Sequence, residues 1–100
     1  MAKPVILTHI ANKDLENLTD YLFTTWGLNV LENFLALYEA KISLIAEYPE
    51  RYPFIHRASG LRKAVLTKHN IILYREGVTR IEVISVFDTR QNPERIENLR

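Results

Sequence analysis

Read from the N-terminus, the apolar positions first form a short extended run, Pro4 to Thr8, rich in Val, Ile and Leu and bounded by proline, which predicts a strand. From about Ala11 the period changes. Leu15, Leu18, Leu22 and Trp26 recur at helical spacing, the stripe of an amphipathic helix with Trp26 as a packing anchor at its end. Asp14 and Glu16 fall in or near its first turn, where negative charge complements the helix dipole, and Gly27 supplies the stop. Asn29 with Glu32 reproduces a capping box for a second helix, along which Leu31, Phe34, Leu35, Tyr38, Ile42 and Ile45 continue the helical spacing. That helix must end near Tyr48-Pro49, because the residue before proline avoids helical dihedrals. So short a connection as Gly27-Leu28 makes the two helices an antiparallel hairpin.

Residues 49–60 carry two prolines and a glycine without any period and predict a loop, pinned onto the sheet by Tyr48, Tyr52 and Phe54. Three extended runs follow, Leu61–Thr67, Ile71–Arg75 and Arg80–Phe87, separated at hairpin lengths. The last is apolar on both faces, as an interior strand would be. Asn92-Pro93 reads as an N-cap with proline opening a short terminal helix, Pro93–Leu99, whose Ile96 and Leu99 can dock. The resulting fold is α+β: an N-terminal strand, an antiparallel helical hairpin packed on a mostly antiparallel four-stranded sheet, and a short C-terminal helix. The sheet face away from the hairpin would carry some of the basic residues.

A chain of 100 residues supports one core, hence a single domain over residues 1–100. Without cysteine there are neither disulfides nor thiolate metal sites. The apolar part of the N-terminus is too short for a signal peptide, and no run approaches the roughly 18 residues of a membrane span. A cytoplasmic protein with no membrane association is the expectation. The net charge of +1 conceals an asymmetry: residues 1–50 hold three lysines against seven acids, whereas residues 51–100 hold ten basic residues, eight of them arginine, against five acids. Arginine suits bidentate contacts with phosphates and carboxylates, so the second half either faces an acidic partner or complements the first.

With its punctuation, the element order resembles the RelE/ParE toxin superfamily. The resemblance spans essentially the whole chain. It is carried by Trp26-Gly27, Gly60-Leu61-Arg62-Lys63, Ile72-Leu73-Tyr74-Arg75, and the run Ile84 to Pro93, whose Asp88-Thr89-Arg90-Gln91-Asn92-Pro93 is closer to the ParE, plasmid-stabilisation branch. The resemblance implies a toxin held inactive by a cognate antitoxin, whose disordered tail folds over it through hydrophobic and Arg–carboxylate contacts. It also implies one of two targets: DNA gyrase, poisoned without a known catalytic site, or messenger RNA, cleaved on the ribosome. A homodimer and a toxin–antitoxin hetero-oligomer both remain open.

Cleaving RNA through the 2′-hydroxyl needs a base, an acid and fixed cations around the phosphate. Arg62, Lys63 and Arg90 offer cations, and His69 is the best candidate for proton transfer, although a hairpin tip holds a polar residue without any catalytic reason. Elsewhere the chain departs from the nuclease branch. Ile71 and Ile72 stand where that branch tends to place arginine, and Glu94-Arg95-Ile96-Glu97 offers neither tyrosine nor histidine. His9 and His56 have no partner at ligand spacing, so neither a metal nor a cofactor is implied. Arg62, Lys63, Arg75, Asp88 and Arg90 are the candidates for macromolecular contact, although Arg62 and Lys63, as strand neighbours, point to opposite faces. Asp88 and Arg90 either bind a partner or pair with each other. Three readings follow: a ParE-like toxin acting on gyrase by binding, a RelE-like ribonuclease using Arg62, Lys63, His69 and Arg90, and a decayed toxin that only binds its antitoxin.

Overall fold

The computed structural model describes residues 2–91 and 93–100, so the expected cap at Asn92 lies outside the described residues. The elements are β1 (Val5–Leu7), α1 (His9–Trp26), α2 (Leu28–Glu47), a 3-10 turn (Pro49–Arg51), β2 (Phe54–His56), β3 (Leu61–Val65), β4 (Asn70–Glu76), β5 (Ile81–Asp88) and α3 (Glu94–Glu97). The strands form one sheet in the order β1-β5-β4-β3-β2, antiparallel except where β1 lies parallel to β5. The fold is the expected α+β arrangement with one addition. The loop expected at residues 49–60 contains β2, which pairs with β3 through Phe54–Arg62 and His56–Leu61 with a register shift between them. Three residues behind Pro53 are too few to show a period, and their hydrogen-bonding partner is supplied by β3.

The helical hairpin covers one sheet face. Leu15, Leu18 and Leu22 of α1 and Phe34, Leu35, Tyr38, Ile42 and Ile45 of α2 pack with Ala64, Ile72, Tyr74, Ile81, Val83 and Val86. On the opposite face Leu61, Ile71, Leu73, Ile84 and Phe87 form a smaller apolar cluster, which Ile55, Ile96 and Leu99 cover. That second cluster explains why β4 and β5 are apolar on both sides, and it is where the C-terminal segment docks.

Three local expectations are corrected. Helix α1 begins at His9, two residues early, because Thr8 caps it by accepting from the Ala11 amide at 3.2 Å. Asp14 therefore lies beyond the first turn, and its carboxylate reaches the sheet instead. Gly27 alone ends α1 and opens α2, with φ 90° and ψ −177°, a conformation closed to side chains. Asn29 consequently sits inside the first turn of α2 and no side chain caps that helix. A Cβ at position 27 would meet nothing within 4 Å. Gly27→Ala is thus expected to cost about 1–3 kcal/mol through backbone strain alone, read as a lowered urea midpoint with an unchanged slope. Trp26, expected as a packing anchor, is 63% exposed and belongs to neither apolar cluster, because the last turn of α1 extends beyond the part of the helix that packs on the sheet.

Candidate functional site

The strand β1 pairs only with Ile81 to Val83 of an eight-residue β5. From Ile84 to Asp88 the edge of β5 therefore lacks a strand neighbour, and helix α1 runs alongside it. Side chains of the α1 end continue the bonding there: Thr8 Oγ1 donates to the Ile84 carbonyl at 2.9 Å, and Asp14 Oδ2 accepts from the Ser85 hydroxyl at 2.5 Å and the Val86 amide at 3.2 Å. Beyond these bonds the two elements diverge and leave a cleft of about 530 Å³, lined on one side by His9, Lys13, Asn17 and Tyr21 and on the other by Asp88, Arg90, Gln91 and Arg95. An adjoining cleft of about 440 Å³ is mostly apolar, with Leu22, Trp26, Val30 and Leu37 along the hairpin and Thr67 and His69 at the β3–β4 turn. Leu18, Tyr21, Asn70 and Arg90 line both. Together they form one groove, polar and cationic at one end, apolar at the other, with Arg90 at the junction.

Arg90 is held by Asp88. Its Nε and Nη2 donate to the two carboxylate oxygens at 3.1 and 2.9 Å, and its amide donates to Oδ1 at 2.9 Å. These bonds hold the Asp88 carboxyl below its ordinary range, with the charge of His69 acting in the same direction. His69 stands at the β3–β4 turn, where its carbonyl accepts from the Thr89 amide at 2.8 Å and hydroxyl at 3.3 Å, drawing the turn toward the end of β5. His69, Asp88 and Arg90 are thus brought together.

The other sequence candidates lie elsewhere. Arg62 Nη1 donates to the carbonyls of Tyr52 at 2.6 Å and Glu50 at 3.3 Å, and its guanidinium lies 3.8 Å from the Phe54 ring centre. Lys63 points to the opposite face, beside the Leu61–Leu73 cluster. Arg75 Nε donates to the Ser59 carbonyl at 2.6 Å, fastening the β2–β3 connection. His56 is also structural, its Nδ1 2.7 Å from the Ser59 hydroxyl. Residues of the groove that the sequence did not single out are Lys13, Tyr21 and Arg95. Tyr21 had a visible signal, as an aromatic residue lying off the buried stripe of α1.

The site is thus an amphipathic groove beside the last strand of a five-stranded sheet that carries a helical hairpin. The chain matches the family described as the ParE toxin of the type II toxin–antitoxin system parDE over residues 5–93. It is 31% identical over 91 residues to toxin ParE1 of Caulobacter vibrioides, covering 90% of this chain and 93% of that one. The chain belongs to the ParE toxin family. Among solved structures, the chromosomal ParDE toxin–antitoxin system of P. aeruginosa superposes with a TM-score of 0.73 at 12% identity, over 89% of this chain and 98% of that one. The toxin–antitoxin complex RelBE2 of Mycobacterium tuberculosis gives a TM-score of 0.62 at 21% identity, over 88% and 99%. At these identities the two structures speak for the fold alone.

Proposed function

We propose that this toxin arrests growth by binding a macromolecular target, DNA gyrase, and that a cognate antitoxin neutralises it by laying an acidic, amphipathic segment into the groove beside α1. The observation that carries the first part is the dispersal of the candidate nuclease residues. RNA cleavage needs its base, acid and cations within hydrogen-bond reach of one phosphate. Arg62 and the His69 turn stand at opposite ends of β3, roughly 16 Å apart at the rise of a strand. Lys63 faces the other side of the sheet, and Arg90 is engaged by Asp88. The second part is supported by the groove itself, whose apolar wall ends at Arg90 beside Lys13 and Arg95. Apolar anchors followed by carboxylates would satisfy both ends.

The test is inducible expression of the chain alone and together with its antitoxin, scoring growth, messenger-RNA integrity and DNA supercoiling. Arrest with intact RNA, disturbed supercoiling and rescue by the antitoxin is the expected result. Codon-specific cuts in RNA would establish the ribonuclease reading instead, and unimpaired growth would leave a protein that only binds its antitoxin.

A further inference from the structure

We propose that the ridge formed by the 3-10 turn, β2 and the start of β3 binds the phosphodiester backbone of a nucleic acid through Arg51, Arg57 and Arg62, without reading the bases. This surface is separate from the groove beside α1, whose walls are made by other residues.

The three arginines form one connected array. Arg57 and Arg62 share the Phe54 ring, their guanidinium carbons 4.7 and 3.8 Å from its centre. Arg62 is tied through the Tyr52 and Glu50 carbonyls to the 3-10 turn that carries Arg51, itself 4.6 Å from the centre of the Tyr48 ring. Lys41 adds a fourth cation, 5.5 Å above Tyr52. Between residues 41 and 63 there are five cations and two acids, Glu47 and Glu50. The ion pairs seen among the described residues join Lys3 to Glu76, Arg80 to Glu82, Arg90 to Asp88 and Arg100 to Glu97, and none of them involves this array, whose cations outnumber its acids.

The form of the array selects its ligand. Each guanidinium rests on a ring, which limits its rotamers, so a bound anion has less side-chain entropy to overcome. Phe54 lies under two guanidiniums at once, which leaves its ring little open face on which a base could stack. An acidic peptide would need open apolar anchors between its carboxylates, and here the apolar groups already lie beneath the arginines. A phosphodiester backbone, charged at every repeat, needs only spaced cations with N–H groups to spare, which Arg62 keeps beyond the Nη1 that it gives to the two carbonyls.

Fluorescence anisotropy of the whole chain tests this, with a labelled duplex of about 20 base pairs, a single-stranded RNA of the same length and poly-glutamate, at about 50 and 200 mM salt. Three phosphate contacts predict a salt slope near −2.7 for the duplex, a loss of about 40-fold in affinity over that range. The variant Arg51→Gln/Arg57→Gln changes exposed side chains, and its fold is checked by thermal melting. It is expected to lower the slope by about 2 and to weaken binding at least about tenfold at the lower salt. The control Arg80→Gln/Arg100→Gln removes two cations elsewhere and is expected to bind as the parent does. Equal binding of duplex and RNA supports backbone recognition, and a preference identifies which polymer the ridge takes. The proposal is overturned if neither nucleic acid binds at the lower salt, if the control loses as much as the ridge variant, or if poly-glutamate binds as tightly as the duplex.

Discussion

Tyr74→Ala is expected to destabilise the protein by about 3–5 kcal/mol, the range for deleting a large buried aromatic side chain. Tyr74 lies fully buried in β4, the middle strand of the sheet, within the larger apolar cluster. Its ring meets Tyr52 edge-on, with centres 6.3 Å apart, and its hydroxyl donates to the Pro49 carbonyl at 2.5 Å. One side chain therefore joins the sheet to the segment that follows α2, and its loss both opens a cavity and strands a buried carbonyl. Since a domain of this size is stable by about 5–15 kcal/mol, the substitution removes about a fifth of that at the least, and half or more if the total lies at the lower end. Tyr74→Phe separates the two contributions. It keeps the packing and loses the hydroxyl, for about 1–2 kcal/mol. Burial also pushes the Tyr74 phenol well above its ordinary value of 10.0. A raised folded-state value means that this contribution is complete below pH 10 and is lost as the pH rises further, because the unfolded chain releases the proton first. Tyr38, shifted upward by burial as well, keeps some of that dependence in the Phe variant. Urea titrations at neutral pH and above pH 10 should thus show the gap between parent and Tyr74→Phe shrinking as the pH rises. A constant gap would mean that folding leaves the Tyr74 phenol unshifted.

The elements that were legible in the sequence are those whose burial imposes a period. The stripe Leu15-Leu18-Leu22 and the longer stripe of α2 placed both helices, and the two-sided apolar run of β5 marked it as interior. What failed to show depends on relations between elements. Asn29 and Glu32 have the chemistry of a capping box, yet a connection closed by Gly27 alone starts the helix before either can cap it. Trp26 continues the stripe of α1 in sequence but has passed the end of what that stripe packs against. The pairing of Asp88 with Arg90 was open to anticipation, because two residues suffice to make it. The groove in which they stand was not, since it exists only because β1 is five residues shorter than β5 and leaves half of that strand's edge to α1.

Asp14 is where that arrangement can be broken most directly. Asp14→Ala leaves the Val86 amide and the Ser85 hydroxyl without the acceptor they share, and the expected loss is about 2–4 kcal/mol. The competing explanation is the one suggested by sequence, a negative charge favourable near the start of a helix, worth only about 0.3–1 kcal/mol and reduced by salt. Asp14→Asn discriminates between them. A side-chain amide retains one accepting oxygen, so the sheet-bonding role predicts a loss well below that of alanine, whereas the dipole role predicts equal losses. Ser85, 1% exposed, supplies the second arm. If its hydroxyl acts through Asp14, Ser85→Ala should cost clearly less in the Asp14→Ala background than in the parent, with a coupling of about 1–2 kcal/mol. Hydrogen exchange at the Val86 amide locates the effect: it should quicken in Asp14→Ala by more than amides in the middle of β4, because the bond removed is the one holding α1 against the open edge of β5. Uniform acceleration would mean instead that Asp14 stabilises the fold as a whole, and that Thr8 with the apolar stripe is enough to keep the groove's two walls together.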